Sequence, residues 1–422
     1  MIDLDNYRRE LFEKCSTCGF CYEYCPVLAV SGNVSELDDK QQLSLNAPLT
    51  RSDFYKLDIL VSSCLLCKAC FPSCFMGKTP DEVVLRGRAA RQFTDTKLSI
   101  RNILFKHILS HPVRTAFTIK LFRWVIKMNG ILLTKWLRLS PIIRTLAIQA
   151  KNKPAHDKGT RPPVKSDGRK IITYFQSCGF DHILPEVRQA TLNVLDSFGY
   201  QVVLRRNSCC GLPPYANGDM QSAKKMAIKN VELLEGSDLV VTECASCSSF
   251  LKKYAELLEN DAPYAEKTKV LSERIRDMSE ILQDNKQSLT DRLSSQMPER
   301  LKITYHDPCH HSRYQAIAKG PREIIHSIPG VEFQELPESD WCCGGPGLYS
   351  ETNSDLSQKI LARKLLNIEK TGANVVVTSC PACIMQLGWG IKQAGLNIEV
   401  VHINQLVEQC IAADQIISGE GQ

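Results

Sequence analysis

Eighteen of the nineteen cysteines in this 422-residue chain fall into four groups, and the groups come as two pairs. Cys15, Cys18, Cys21 and Cys25 form a C-x2-C-x2-C-x3-C run followed by Pro26. Cys64, Cys67, Cys70 and Cys74 repeat that spacing. Farther on, Cys178, the pair Cys209–Cys210, Cys244 and Cys247 make a third group. Cys309, the pair Cys342–Cys343, Cys380 and Cys383 make the fourth. Only Cys410 stands apart, and it reads as a small buried hydrophobe. No run of 18 uncharged apolar residues occurs, and Met1–Cys15 lacks the cationic and apolar regions of a signal peptide. The expected compartment is therefore the cytoplasm, where thiols stay reduced. Clustered reduced cysteines there point to metal rather than to disulfides.

The first two groups carry the most specific signal. Two residues between thiolates let a chain wrap three corners of an iron–sulfur cube, and the fourth cysteine of such a run reaches the other cube. The spacing assigns one [4Fe–4S] cluster to Cys15, Cys18, Cys21 and Cys74, and a second to Cys64, Cys67, Cys70 and Cys25. Zinc is the competing reading, but zinc needs only two C-x2-C knuckles and has no use for a third evenly spaced cysteine. In the second run Phe75, not proline, follows Cys74, and Pro72 precedes it by two, so the chain leaves that cluster differently. Asp53–Val61 and Pro80–Phe93 read as helices, which makes this a helical two-cluster module.

Lys97–Lys153 holds twelve Lys or Arg and no Asp or Glu, whereas the rest of the chain has 40 basic against 46 acidic residues. Aromatic and aliphatic residues interleave with the charge, and Pro112 and Pro141 divide the stretch into short amphipathic helices. Lys106, Arg114, Lys120, Arg123, Trp124 and Trp136 are the candidate contacts. Such helices suit an anionic membrane surface. An acidic partner subunit is the plainer alternative, and nucleic acid is not expected because no nucleic-acid module accompanies the charge. Lys151–Lys170, with Pro154, Pro162 and Pro163, reads as a linker.

The remainder is an internal duplication. Ile171–Cys178 reads IITYFQSC against KITYHDPC at Lys302–Cys309, and Val240–Cys247 reads VVTECASC against VVTSCPAC at Val376–Cys383. Strands are expected at Lys170–Phe175, Gln201–Leu204 and Leu239–Thr242, with counterparts at Ile303–Tyr305, Val331–Glu335 and Asn374–Thr378. Pro185 and Pro321 open helices that Gly199 and Gly330 end. This alternation implies parallel sheets covered by helices, and in such sheets ligands gather beyond the carboxyl ends of the strands. The cysteines of each copy fall there, with Gly211 and Gly344 giving tight turns beside them. Five thiolates per copy suggest an iron–sulfur cluster with extra ligands, and zinc stays open. His306, His310 and His311 flank Cys309. They read either as hydrogen-bonded strand-end residues or, for His306 and His310, as partners standing beside a cluster.

Two such runs followed by two C…CCG…CxxC units resemble the iron–sulfur subunits of glycolate oxidase, anaerobic glycerol-3-phosphate dehydrogenase and related lactate dehydrogenases. The heterodisulfide reductases belong to the same wider group. Tyr305–His310, Trp341–Gly347 and Ser379–Gln386 look most like the glycolate oxidase and lactate dehydrogenase branch. The resemblance covers nearly the whole chain except Lys97–Lys170, and the expected division is a helical 2×[4Fe–4S] module over residues 1–95, a basic amphipathic helical connector over 96–168 and cysteine-rich α/β domains over 169–298 and 299–422. The resemblance also implies a flavoprotein partner that oxidises a 2-hydroxy acid or a glycerol phosphate, and a quinone as acceptor. No G-x-G-x-x-G, Walker A or C-x-x-C-H motif is present, so the organic substrate is expected to react on another chain. The alternative is a disulfide reductase working at a non-cubane cluster in a CCG site, with zinc in one copy as a further variant.

Overall fold

The computed structural model describes residues 24–31, 61–73, 80–91, 108, 111–121, 124, 168–292 and 301–419. Cys15, Cys18, Cys21, Cys74, Lys106, Arg123 and Trp136 lie outside these, as does most of Asp53–Val61.

Two four-stranded sheets organise residues 168–419. In the first, β1 (Ile171–Tyr174), β2 (Gln201–Leu204), β3 (Val240–Thr242) and β4 (Ile275–Asp277) lie in the order β2-β1-β3-β4. In the second, β5 (Leu301–Tyr305), β6 (Val331–Phe333), β7 (Val375–Thr378) and β8 (Glu399–His402) lie in the order β6-β5-β7-β8. Every pairing is parallel. The central strands β3 and β7 are buried at every residue, as expected where helices cover both faces of a parallel sheet. The expected strands are all present. β4 and β8, at the sheet edges, are additions to the sequence reading. The Pro185–Ser197 helix begins on its proline, whereas the second copy's helix runs Lys319–His326 and starts two residues before Pro321. It stops four residues short of Gly330 because Ser327 already closes its last turn through Glu323 and Ile324 carbonyls.

The copies pack as a pseudo-twofold pair. The helix after β1 packs on the final helix, Ile403–Gly419, and the helix after β5 packs on the matching Met278–Asp284 helix of the first copy. One apolar core runs through this contact: Ile172, Leu195, Met278 and Leu282 meet Ile303, Ile324, Ile325, Ile403 and Val407. Burying each such side chain contributes about 1.5–3 kcal/mol, so the two copies stabilise one another. Cys410 sits in this core, at 5% exposure. Polar ties reinforce it. Asp277 caps the Met278–Asp284 helix through Ser279 N and forms a capping box with Glu280. It also accepts from Ser248 Oγ at 2.7 Å and faces His311 Nε2 at 3.0 Å.

The N-terminal segments are helical where described, at Pro26–Ser31, Phe71–Ser73 and Pro80–Arg91. They rest on both copies: Leu66, Val84 and Leu85 pack with Tyr215, Ala216 and Met220 of the first, where Arg88 Nη1 donates to Ala216 O at 2.6 Å, and a second cluster lies on the second copy. Val27, Leu65, Cys67 and Ala69 share a packed cluster with Trp341, Cys342, Tyr349 and Ile360. Pro112 opens a helix at residues 112–121 rather than interrupting one. Among the described residues no helix is long and apolar enough to cross a membrane.

Candidate metal centres

Order β2-β1-β3-β4 reverses direction between β1 and β3, and order β6-β5-β7-β8 does so between β5 and β7. These are the switch points where open parallel sheets leave a crevice. Cys178 opens the short helix after β1, and Cys244 is the N-cap of the Ala245–Lys252 helix after β3. Cys309 and Cys380 hold the same positions beyond β5 and β7. The positive ends of helices therefore point at each crevice and favour thiolates there.

The Cys-Cys-Gly turns complete each site. Gly211 has φ +97° and Gly344 φ +82°, a left-handed backbone that glycine adopts without a Cβ penalty. The turns are pinned from behind. Asn230 Nδ2 donates to Cys209 O at 3.0 Å, and Tyr254 Oη donates to Cys210 O at 2.6 Å. In the second copy Ser357 Oγ donates to Gly344 O at 2.7 Å, and Gln386 supports Ser357 at 3.0 Å.

Within each site the thiols converge. In the first, Cys209 and Cys247 hydrogen-bond to Cys210 and pull its pKa down to about 6, against burial. Cys178 bonds to Cys209, and that bond together with burial holds it well above its ordinary value. In the second, Cys309 and Cys343 hydrogen-bond to Cys342 and hold it well below the usual thiol range. Cys383 does the same for Cys380, which falls to about 6. Cys343 and Cys383 sulfurs lie 3.6 Å apart. Buried sulfurs that share protons among themselves in this way form a donor set suited to a soft metal centre, and none of the described cysteines is in a disulfide.

The two sites and the N-terminal segment meet. Cys244 feels the charge of Cys380, and Ser246 Oγ lies 3.3 Å from Cys380 Sγ. On the other side Cys67 and Cys25 each feel Cys342, and Cys64 feels Cys25. Of the second expected cluster's ligands, Cys25, Cys64 and Cys67 are thus brought together, and Cys70 is described as half-buried. Leu66 and Lys68 have φ +54° and +56°, and Leu66 N donates to Cys64 Sγ at 3.3 Å. A backbone coiled that tightly around a sulfur is suited to enclosing a cluster. One cavity of about 780 Å³ is lined by Cys64 and all ten cysteines of the third and fourth groups.

Several residues at this junction escaped the sequence reading. Arg313 Nη1 donates to Cys67 O at 3.3 Å while Nη2 holds Asp340 at 2.9 Å. Tyr314 Oη donates to Leu66 O at 2.6 Å and stacks on His310 with ring centroids 4.5 Å apart. Their signal was position: both lie one helical turn past Cys309. Lys364 is fully buried and donates to the Glu338 and Ser339 carbonyls; burial lowers it to about 8.

The flanking histidines divide. His310 Nδ1 lies 2.8 Å from Ser249 Oγ, across the boundary between the copies. His311 is the partner of Asp277. His306 is buried, and a ring nitrogen of it lies within 4.8 Å of the Cys343 and Cys383 sulfurs. Of the expected contact residues, Arg114, Lys120 and Trp124 are exposed, as are Val113, Phe117 and Leu121. Val113, Phe117, Leu121 and Trp124 follow a helical spacing and form one apolar stripe.

Comparison with known proteins agrees with this architecture. Residues 11–83 match a 4Fe-4S dicluster domain, and residues 172–252 and 303–388 each match a cysteine-rich domain. The chain is 25% identical over 413 residues to a probable glycolate oxidase iron-sulfur subunit of Bacillus subtilis, covering 93% of this chain and 92% of that one. It is 32% identical over 259 residues to a fumarate reductase (CoM/CoB) subunit of Methanothermobacter marburgensis, covering 61% of this chain and 50% of that one. It is 28% identical over 237 residues to lactate utilization protein A of Halalkalibacterium halodurans, covering 56% of this chain and 96% of that one.

Proposed function

We propose, from the premise that this chain is an iron–sulfur protein uniting a 4Fe-4S dicluster domain with two cysteine-rich domains, that it is the electron-transfer subunit of a glycolate oxidase-like oxidoreductase. A partner flavoprotein subunit oxidises the organic substrate, a 2-hydroxy acid or a glycerol phosphate, and a quinone accepts the electrons. The observation that carries this reading is the packing of the cysteine groups on one another: Cys25 and Cys67 share a cluster with Cys309 and Cys342, and Ser246, between Cys244 and Cys247, lies 3.3 Å from Cys380 Sγ. The domain boundaries we assign are 1–95, 96–168, 169–298 and 299–422.

Among the described residues, the buried clustered thiols fit the groups they are asked to hold. Cys64, Cys67, Cys70 and Cys25 would carry one [4Fe–4S] cluster, and Cys15, Cys18, Cys21 and Cys74 the other. Cys178, Cys209, Cys210, Cys244 and Cys247 form the first CCG site; Cys309, Cys342, Cys343, Cys380 and Cys383 form the second. Bound iron–sulfur groups supply one-electron chemistry. The protein's part is to hold the sulfurs without water, to set helix N-termini toward them and to place buried Lys364 and Arg313 near their charge. The exposed stripe Val113, Phe117, Leu121 and Trp124, flanked by Arg114 and Lys120, supports a peripheral contact with an anionic membrane surface.

Replacing Cys309 or Cys343 is expected to abolish quinone reduction while the dicluster signals survive; unchanged turnover would remove the second CCG site from the electron route. Charge reversal at Arg114 and Lys120 together with Lys106 and Arg123 is expected to release the protein from anionic liposomes, and persistent binding would replace the membrane by a partner protein. A second reading is a disulfide reductase, favoured by the cavity of about 780 Å³ that both CCG sites line. Anaerobic metal analysis with EPR separates the two. About eight irons would mean a relay with no iron in the CCG sites, and about twelve to sixteen, with a signal that shifts on adding a disulfide, would favour the reductase.

A further inference from the structure

The internal repeat aligns the two metal sites residue by residue. Tyr174 matches Tyr305 and Cys178 matches Cys309, which sets Phe175 against His306. Both positions are buried to 1% exposure or less, so the same place beside each crevice is apolar in the first copy and imidazole in the second. No hydrogen bond of regular geometry holds either ring nitrogen of His306, although the Ser339 carbonyl lies near the ring and opposes the burial that lowers its pKa. Its backbone is satisfied, with His306 N donating to Val377 O at 3.0 Å, but the side chain is not so held. A buried polar group without a regular partner is rare, and a native structure supplies a reason for each one. A ring nitrogen and the sulfurs of Cys343 and Cys383 lie within 4.8 Å of one another. Donors on one metal at bond lengths of about 2.0–2.3 Å stand about 3.5 Å apart, so a small contraction would put all three on one ion.

We propose that His306 is a nitrogen donor to the metal centre of the second cysteine-rich site, so that the two CCG sites differ in kind: one all-sulfur, the other mixed nitrogen and sulfur. The inference rests on the reading of that site as a metal centre and names a ligand outside its five cysteines. Its consequence for electron flow follows from charge. A neutral imidazole that takes a coordination position from one of the five thiolates leaves the metal less negative and raises its potential, as histidine does in Rieske centres. The raised site is the one that packs against Cys67 and Cys25.

The test uses the anaerobic full-length holoprotein, first analysed for iron and zinc. With iron in the site, ⁵⁷Fe Mössbauer spectra read paramagnetic and diamagnetic states alike. A component with the larger isomer shift of nitrogen-ligated iron is expected in the wild type. It should vanish in His306→Phe, which copies the first site, and persist in His310→Gln. With zinc instead, zinc-edge absorption should give one nitrogen scatterer at about 2.0–2.1 Å among sulfurs at about 2.3 Å, absent in His306→Phe. A wild-type spectrum without the nitrogen component, or one that His306→Phe leaves unchanged, overturns the proposal while sparing the metal site. About eight irons and no zinc overturn the site itself and the proposal with it. Should His306→Phe fail to fold, the wild-type spectrum alone decides, by containing or lacking that component.

Discussion

Gly344 offers a sharp test of how the second site is shaped, because a nearby glycine serves as its control. Gly344 and Gly347 both have left-handed backbones, at φ +82° and +53°. A Cβ added at Gly347 meets nothing within 4 Å, whereas one added at Gly344 comes within 2.7 Å of Ser357 O and 3.3 Å of Ile360. The backbone term is shared and costs an alanine about 1–2 kcal/mol. The steric term belongs to Gly344 alone, because its obstacle is a helix carbonyl that cannot rotate away; overpacking of this kind costs about 1–3 kcal/mol. Gly347→Ala is therefore expected to lose about 1–2 kcal/mol and Gly344→Ala about 2–5 kcal/mol. The excess falls where Ser357 Oγ holds Gly344 O, so relaxation must pull Cys342 and Cys343 out of place. Anaerobic urea denaturation gives the stabilities, and iron and zinc analysis gives occupancy. Equal losses in the two variants, or full metal content in Gly344→Ala, would refute the reasoning.

Other outcomes follow from the contacts between segments. Burial would raise the Asp277 pKa, but His311, Ser248 and Ser279 N overcome it and hold the carboxylate well below its ordinary value of 3.8. Its stabilising contribution is then complete above about pH 4 and is lost as the pH falls further. Asp277→Ala should cost about 3–5 kcal/mol at neutral pH, and Asp277→Asn should flatten the acid limb of stability against pH, both read by denaturation. Tyr314→Phe removes the hydroxyl that donates to Leu66 O, a bond worth about 0.5–1.5 kcal/mol. Hydrogen exchange in residues 64–70 should quicken about two- to tenfold, and unchanged protection would mean that the loop is held elsewhere. Stripping metal under reducing conditions should expose the clustered thiols to a thiol reagent while Cys410 stays protected until global unfolding, since among the described cysteines only it lies in the core between the copies.

The metal-binding side chains were legible because their chemistry is local: thiolates two residues apart, or a Cys-Cys-Gly turn after an apolar run, announce themselves without neighbours. The six interior or first-paired strands were legible for the same reason, being short runs of Val and Ile. β4 and β8 were not. Ile275–Asp277 has a single apolar residue, and Glu399–His402 lies on an edge where polar ends are tolerated, so period and composition are silent. The junction was illegible for a different reason. Arg313, Tyr314 and Lys364 act on groups that are hundreds of residues away or on backbone carbonyls, and neither leaves a trace in spacing. Phe175 and His306 were visible as an alignment mismatch, but only the fold showed that the mismatch points at a sulfur site.

The reciprocal packing of the helix that follows each copy's last strand on the opposite copy is the arrangement of a twofold dimer whose protomers happen to be covalently joined. In a true dimer of identical chains, every substitution appears twice and any partner can dock on either face. Fusion lifts that constraint. The pair Phe180 and His402, edge to face at 5.1 Å, occupies the place that the buried polar pair His311 and Asp277, 3.0 Å apart, takes on the other side. The N-terminal segment likewise meets the two copies differently, setting Cys25 and Cys67 against Cys309 and Cys342 of the second while touching the first through Tyr215, Ala216 and Met220. Symmetry provides the shared core, and its breaking gives the molecule a direction: an entrance at the second site and a far end at the first.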